Sequence, residues 1–258
     1  HANYETTILE KTIVKIGALL ALGFGEAGAE IVAKNMQRGG DVDPMIPGKK
    51  IVAIFGFCDI RNFTDATEIL QEGVMVFVNE IAEVVHSQVD FFSGASNKNI
   101  GDAFLLVWKF DDEDVEQDTY TGVLVPKQNS IKVKALAEMA VSSFISIQPA
   151  LAKAAKLKKY RGNKELLTRM NETEYRVKMG FGLHVGWAIE GAIGSKYKID
   201  ASYLSPNVNT SSRLEAATKQ FGVWILISDK VRELCREYMR GLMRQVDCVK
   251  VKGSDVGL

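Results

Sequence analysis

The sequence predicts an α+β fold, a mostly antiparallel sheet with helices packed on one side of it. Three observations carry that expectation. Strand-length apolar runs, such as IVAIF at 51–55 and AFLLVW at 103–108, alternate with longer segments whose apolar residues recur at helical spacing. Two further apolar runs, 175–185 and 187–193, adjoin across Gly186, as in a hairpin with a tight turn. With 258 residues, 47% hydrophobic and 25% charged, the chain holds enough for one large domain or two small ones.

Each element has its own warrant. Residues 1–45 read as a helical stalk and linker. Leu9, Ile13, Ile16, Leu20 and Gly23 follow a 4-3-4-3 spacing, which suits either a dimerising coil or a helix packed on its own domain. The helical pattern fades after Met36, and Gly39, Gly40, Pro44, Pro47 and Gly48 mark a linker. The main domain is expected over 46–258. Its first strand spans 50–58, a helix 64–89 with Ile69, Val74, Phe77, Ile81 and Val84 on one face, a loop 92–100, and a strand 103–108. Residues 111–118 hold six acids in eight, read as a solvated loop or, alternatively, a regulatory contact. An amphipathic helix is expected over 131–157. Ser205 as N-cap and Pro206 in the first turn open a helix running to about Phe221. A strand 223–227, a helix 229–238 and a strand 246–251 complete the list.

Charge and cysteine content exclude several classes. Lysines plus arginines equal aspartates plus glutamates at 32 each, so no global field attracts nucleic acid or an anionic membrane. The basic run Lys156, Lys158, Lys159, Arg161 has no interleaved aromatics and reads as a solvated helix face. Cys58, Cys235 and Cys248 show no metal-ligand spacing and fit reduced thiols. No apolar run reaches the roughly 18 residues of a membrane span, and Glu5 and Glu10 argue against a signal peptide. The chain starts at His1 and stops after a strand-like run. It therefore reads as a cytoplasmic piece of a larger protein, whose other parts could include a membrane anchor or a sensor.

Two pairs of residues carry chemistry. Asp59 and Asp102 stand at the ends of apolar runs, where buried carboxylates are costly unless something positive lies between them. Oxygen ligands without nearby His or Cys favour magnesium or manganese, and magnesium bound by few carboxylates points to a phosphorylated substrate. The alternative is a pair of helix-capping aspartates. Asn209 and Arg213, at i and i+4, share one helix face. Arg213 offers a planar fork suited to phosphate, unless the pair is simply a solvated polar face.

At this point the sequence resembles the class III nucleotidyl cyclases. Phe57-Cys-Asp59-Ile60-Arg-Asn-Phe63-Thr64 is similar to the family's F-x-D-I-x-x-F-T, and Lys98-Asn-Ile-Gly101-Asp102 to its K-x-I-G-D. Phe181-Gly-Leu-His184-Val-Gly186 through Gly191-Ala-Ile-Gly194-Ser195 resembles its I-G-I-H-x-G…G-x-I-G-S hairpin. Asn209-Thr-Ser-Ser-Arg213-Leu214 resembles N-x-x-S-R-L, and Val251-Lys252-Gly253 its closing V-K-G. The ordered set covers about residues 49–253.

The resemblance implies a ferredoxin-like βαββαβ core and an adenylyl cyclase catalytic domain. Asp59, Asp102 and the Ile60 carbonyl would hold two Mg²⁺ or Mn²⁺ ions on ATP, beside Phe63 and Thr64. Asn209 would orient the ribose, Arg213 would stabilise the α-phosphate, and Lys252 would bind the outer phosphates. Lys98 and Ser202 fall at the purine-reading positions. An ammonium only donates, which suits adenine N1 and opposes guanine, while a hydroxyl can accept from N6. Asp200, two residues from Ser202, is the alternative reader. The family's sites lie between protomers, which implies a homodimer with shared active sites. A guanylyl cyclase and a catalytically silent dimerisation domain are the rival readings. His86 and His184 are expected to be structural. Ser205-Pro206 departs from the family pattern before the Asn209 helix, and so does the long 92–97 loop.

Overall fold

The computed structural model describes residues 6–20, 22–23, 47–195 and 198–249. Residues 6–20 form helix α1. Its Leu9, Ile13 and Ile16 are 60%, 55% and 52% exposed, so the apolar spacing there is not spent on a core of its own. Most of the expected linker lies outside the described residues.

The chain divides into two compact units. The larger contains Ile51–Ala188 and Ser205–Leu258, the smaller His1–Lys50 and Ile189–Leu204. In the larger unit β1 (Lys49–Ile60) leads into α2 (Phe63–Leu70) and α3 (Val74–Phe91). The expected single helix over 64–89 is broken. Gln71 takes a left-handed φ of 48°, and a 3-10 turn, Gln71–Gly73, separates the two parts. In α3, Phe77, Ile81, Val85 and Val89 recur every four residues, and all are buried. Residues 92–100 are not the expected loop, since β2 (Ala95–Ile100) pairs antiparallel with β3 (Ala103–Lys109). The register shifts between Ser96 and Lys98, which leaves a bulge at Asn97. The polar sequence ASNKNI hid an edge strand, whose free side tolerates polar residues.

The acidic stretch is also ordered. Within it β4 (Val115–Gln117) pairs with β5 (Leu124–Pro126). Asp114 is buried and accepts from Ser130 Oγ at 2.6 Å. Helix α4 (Ile131–Lys153) is long and apolar enough to cross a membrane, but Val133, Ala137, Val141, Phe144, Ile147 and Leu151 are spent on the core. It ends before the expected Leu157, and a 3-10 turn, Lys156–Tyr160, follows. The basic run there is paired, Lys156 with Glu83 and Lys159 with Glu80, each at 2.6 Å. A short α5 (Lys164–Met170), not expected, comes next.

The two strands expected around Gly186 are one, β6 (Met179–Ser195). The reversal comes later, into β7 (Lys198–Leu204), which the sequence reading missed. Helix α6 (Pro206–Phe221) starts as expected, with Ser205 Oγ accepting from Asn207 N at 3.0 Å, and ends at Gly222 with φ 63°. A short β8 (Ile225–Ile227) pairs parallel with β6. The helix expected over 229–238 is two, α7 (Asp229–Leu234) and α8 (Glu237–Gly241). Of the last expected strand, residues 246–249 are irregular and the rest lies outside the described residues.

In the larger unit β1 is central, with β3 and then β2 on one side and β6 on the other. One sheet face packs on α3 and α4. Phe144 of α4 meets Phe181 at 5.0 Å and Trp108 at 5.8 Å between ring centroids. Each such fully buried ring contributes roughly 2–3 kcal/mol relative to exposure. Successive strand residues face opposite ways, so Gly180, Gly182 and Gly186 of β6 point away from Phe144. That second face carries α6, a departure from helices on one side only. In the smaller unit the end of β6 pairs with β7, and Tyr203 Oη donates to the buried Glu190 at 2.9 Å.

Candidate active site

The β1–β3 register sets Asp59 opposite Ala103. Asp102 therefore stands at the turn beside it, where Gly101, at φ 64°, supplies a left-handed conformation that costs a side-chain-bearing residue energy. Ile60 N donates to the Asp102 carbonyl at 3.1 Å. The Asp59 carboxyl is pushed up to about 7. Burial is the first cause, followed by the charges of Asp102 and Glu215 and the Asp102 hydrogen bond; Lys219 opposes them. Arg61 Nη1 and Lys219 Nζ each stand 3.8 Å from Asp59 Oδ2, too far for hydrogen bonds. Two neighbouring half-buried carboxyls, the charge of Asp102 raising Asp59, fit a divalent cation, and their oxygens suit magnesium or manganese.

Phe63 and Thr64 open α2 directly after this pair. Asn62, at φ 56°, makes no side-chain cap there, so the first N–H groups of the helix are left for another acceptor. Phe63 is half-buried against the core and Thr64 is exposed.

Helix α6 supplies the second pair. Asn209 is exposed and Arg213 half-buried. Among the described residues neither side chain has a hydrogen bond or ion pair. The helix can sit this low because β6 offers glycine where it crosses. A Cβ on Gly182 would lie 2.2 Å from Ser211 O and 2.4 Å from Glu215 N, and one on Gly186 would meet the Asn207 side chain at 2.3 Å. Gly186 is thus a site of close approach rather than a turn.

Arg61 pairs with Glu215 of α6, Nη1 to Oε1 at 2.7 Å, and Nη2 donates to Thr218 Oγ1. The sequence reading missed Arg61, Glu215, Thr218 and Lys219. Its available signal was the alternate-position glycines of β6, which announce a close helix.

Lys98 lies on β2 opposite Leu105, itself opposite Phe57, so it shares the sheet face of Asp59. Two strand spacings and two residues put it roughly 12 Å away. Ser202 is buried on β7 opposite Gly191, and Asp200 lies two residues before it, on the same strand face, exposed. Both belong to the smaller unit. Lys252 lies outside the described residues.

His184 is buried, as expected of a structural histidine. Its Nε2 meets Asn207 Oδ1 at 3.2 Å, and burial above all lowers it to about 4. His86 is lowered too, chiefly by burial. Asp111, Glu113 and Asp114 also cluster, but Glu113 pairs with Lys132 and Asp114 with Ser130. A cavity of about 850 Å³ between the β4–β5 hairpin and α7 includes none of the expected residues.

Comparison with known proteins gives a consistent result. Residues 47–257 match the family model described as adenylate and guanylate cyclase catalytic domain. Residues 1–37 match a second, described as RasGEFs all helical domain. An adenylate cyclase of Anabaena cylindrica is 30% identical over 203 residues, covering 77% of this chain and 34% of the relative. The chain thus spans about a third of that relative's length. A bacterial light-regulated adenylyl cyclase structure aligns at TM-score 0.63 and 21% identity, over 90% of this chain and 58% of the other. The guanylyl cyclase Cya2 aligns at TM-score 0.52 and 21% identity, over 74% and 82%.

Proposed function

Because the chain belongs to the adenylate and guanylate cyclase catalytic-domain family, the class III cyclases, we propose that it converts ATP to 3′,5′-cyclic AMP and pyrophosphate at sites shared between two copies of itself. The observation that carries this reading is the register that sets Asp59 opposite Ala103 and so brings Asp102 beside it, with Ile60 N donating to the Asp102 carbonyl at 3.1 Å. When bound to Asp59, Asp102 and the Ile60 carbonyl, two divalent ions would ease loss of the ribose 3′-hydroxyl proton and neutralise the triphosphate.

The chain's own groups do the rest by position. The open N–H groups at Phe63 and Thr64 receive phosphate oxygens. Asn209 holds the ribose, and Arg213 meets the negative charge that grows around the α-phosphate as pyrophosphate leaves. Lys252 is assigned to the outer phosphates. No protein nucleophile is required, so orientation and electrostatics supply most of the rate.

Asp59 and Arg213 belong to one chain but serve different sites in this reading, so a monomer would be inactive. The exposed Leu9, Ile13 and Ile16 of α1 support a stalk that joins two copies. Lys98 and Ser202 favour adenine for the donor and acceptor reasons given above, against guanylyl cyclase, the second reading. A silent domain is disfavoured because Asp59, Asp102, Asn209 and Arg213 are all present. Assays with ATP and GTP side by side, under Mg²⁺ or Mn²⁺, test the proposal. Cyclic AMP should dominate; faster turnover of GTP would overturn the role of Lys98, and no cyclic product at all would leave the silent reading.

A further inference from the structure

Arg61 lies beside the carboxylate pair yet directs its guanidinium elsewhere. Its nearer partner is Glu215 Oε1 at 2.7 Å, and its second nitrogen donates to Thr218 Oγ1. Glu215 and Thr218 are three residues apart and both are buried, as suits the inner face of α6. The side chains of Arg61 and Glu215 are only 15% and 6% exposed. Among the described residues neither Arg61 Nη1 nor Glu215 Oε1 has a hydrogen-bond partner, so the pair is held by charge alone. The hydrogen bond from Arg61 to α6 is the one to Thr218 Oγ1.

The surroundings are shaped for it. A Cβ on Gly180 would stand 1.7 Å from Arg61 Nη2 and 2.4 Å from Glu215 Oε1. Arg61 N donates to Lys178 O at 2.8 Å, which fixes the root of the side chain to the residues entering β6. A rigid planar fork that holds a helix at two points resists both rotation about its axis and sliding along it.

On α6 the outward residues follow from that grip. At about 100° per residue, Arg213 lies about 160° around the helix from Glu215 and Asn209 about 120°. The clamp therefore turns both away from the sheet, in agreement with an exposed Asn209 and a half-buried Arg213. A misplacement of about 1 Å at such residues can cost about a hundredfold in rate.

We propose that Arg61, acting through Glu215 and Thr218, is a positioning residue that locks α6 to the metal-bearing end of β1 and so sets where Asn209 and Arg213 stand. The role rests on the shared-site reading above, in which the α6 that Arg61 holds serves a different site from the carboxylates beside it.

Mixed dimers test it. A dimer of one Asp59→Ala chain with one Arg213→Ala chain has a single working site, built from α6 of the first and the carboxylates of the second. Glu215→Ala on the Asp59→Ala chain should lower kcat about tenfold or more, with bound Mn²⁺, read by electron paramagnetic resonance, unchanged. Glu215→Gln, which keeps an acceptor, should recover part of the loss. On the Arg213→Ala chain the same substitution should change kcat less than about twofold. Equal losses on both chains, or none on either, would overturn the proposal.

Thr218→Val, which removes one prong only, takes the same two placements if Glu215→Ala fails to fold. No activity in the unmodified mixture would instead reject shared sites. The clamp is then judged by hydrogen exchange in the homodimer. Glu215→Ala should speed exchange across 206–221 and leave α3 unchanged; unaltered exchange in α6 would reject the clamp.

Discussion

The carboxylate end of β1 and the outer face of α6 are opposite kinds of construction. Asp59 and Asp102 are crowded together and half-buried, with Arg61 and Lys219 each 3.8 Å from Asp59. Asn209 and Arg213 are held out on a rigid helix with, among the described residues, no side-chain partner. In the proposed reading the first region carries crowded negative charge that a cation would relieve. The second carries unmet hydrogen-bonding capacity that, in the same reading, a nucleotide would satisfy. The difference teaches that, if the sites are shared as proposed, one chain prepares its two half-sites separately, one through charge crowding and one through seating.

The largest expected effect tests the first region. Asp59→Ala or Asp102→Ala should each lower cyclic AMP formation about 10³-fold or more, since metal assistance is worth several kcal/mol. If either variant kept a tenth of the activity under Mn²⁺, the pair would not be the metal centre. Next, Arg213→Ala should cost about 10²–10³ in kcat while Mn²⁺ binding stays intact. Arg213→Lys should recover little, because a point charge lacks the fork. A parallel loss of Mn²⁺ would erase the contrast between the two regions.

Smaller effects sharpen the seating. Gly182→Ala forces a methyl group against the α6 backbone and should lower stability by about 1–3 kcal/mol in denaturant titration. Its activity should fall further than that stability loss explains, because the helix is displaced.

The smallest effects concern pH. Asp59 rises from 3.8 to about 7 in the fold, so its contribution to stability is full below pH 3.8 and is lost as pH rises through about 7. His184 falls from 6.5 to about 4. Its contribution is full above pH 6.5 and is lost as pH falls through 4. The two trends oppose each other over pH 4–6.5. On acidification from pH 6.5 to 4 the thermal stability of the metal-free protein should fall more for Asp59→Asn, and less for His184→Gln, than for the unsubstituted protein. Identical profiles for all three proteins would deny both shifts.

Much of this was legible in the sequence. Asp59 and Asp102 stood out because they interrupt apolar runs, and the α6 start because Ser205-Pro206 is a local signal. Lys98 was placed in a loop because β2 is a polar edge strand, where alternation of apolar residues fails. Gly186 was read as a turn because glycine permits one. Its actual use, space for Asn207, depends on a helix about twenty residues later. The Arg61–Glu215 pair had no local sign at all, since nothing near either residue names its partner.

The glycines of β6 have a consequence for how such a chain can change over time. At Gly180, Gly182 and Gly186 the strand and the inner side of α6 are cast against each other, so neither can take up new side chains alone. Retuning is left to the outer side of the helix, where substitutions meet no mould. A graft of α6 into a related protein would therefore succeed only when its strand travels with it.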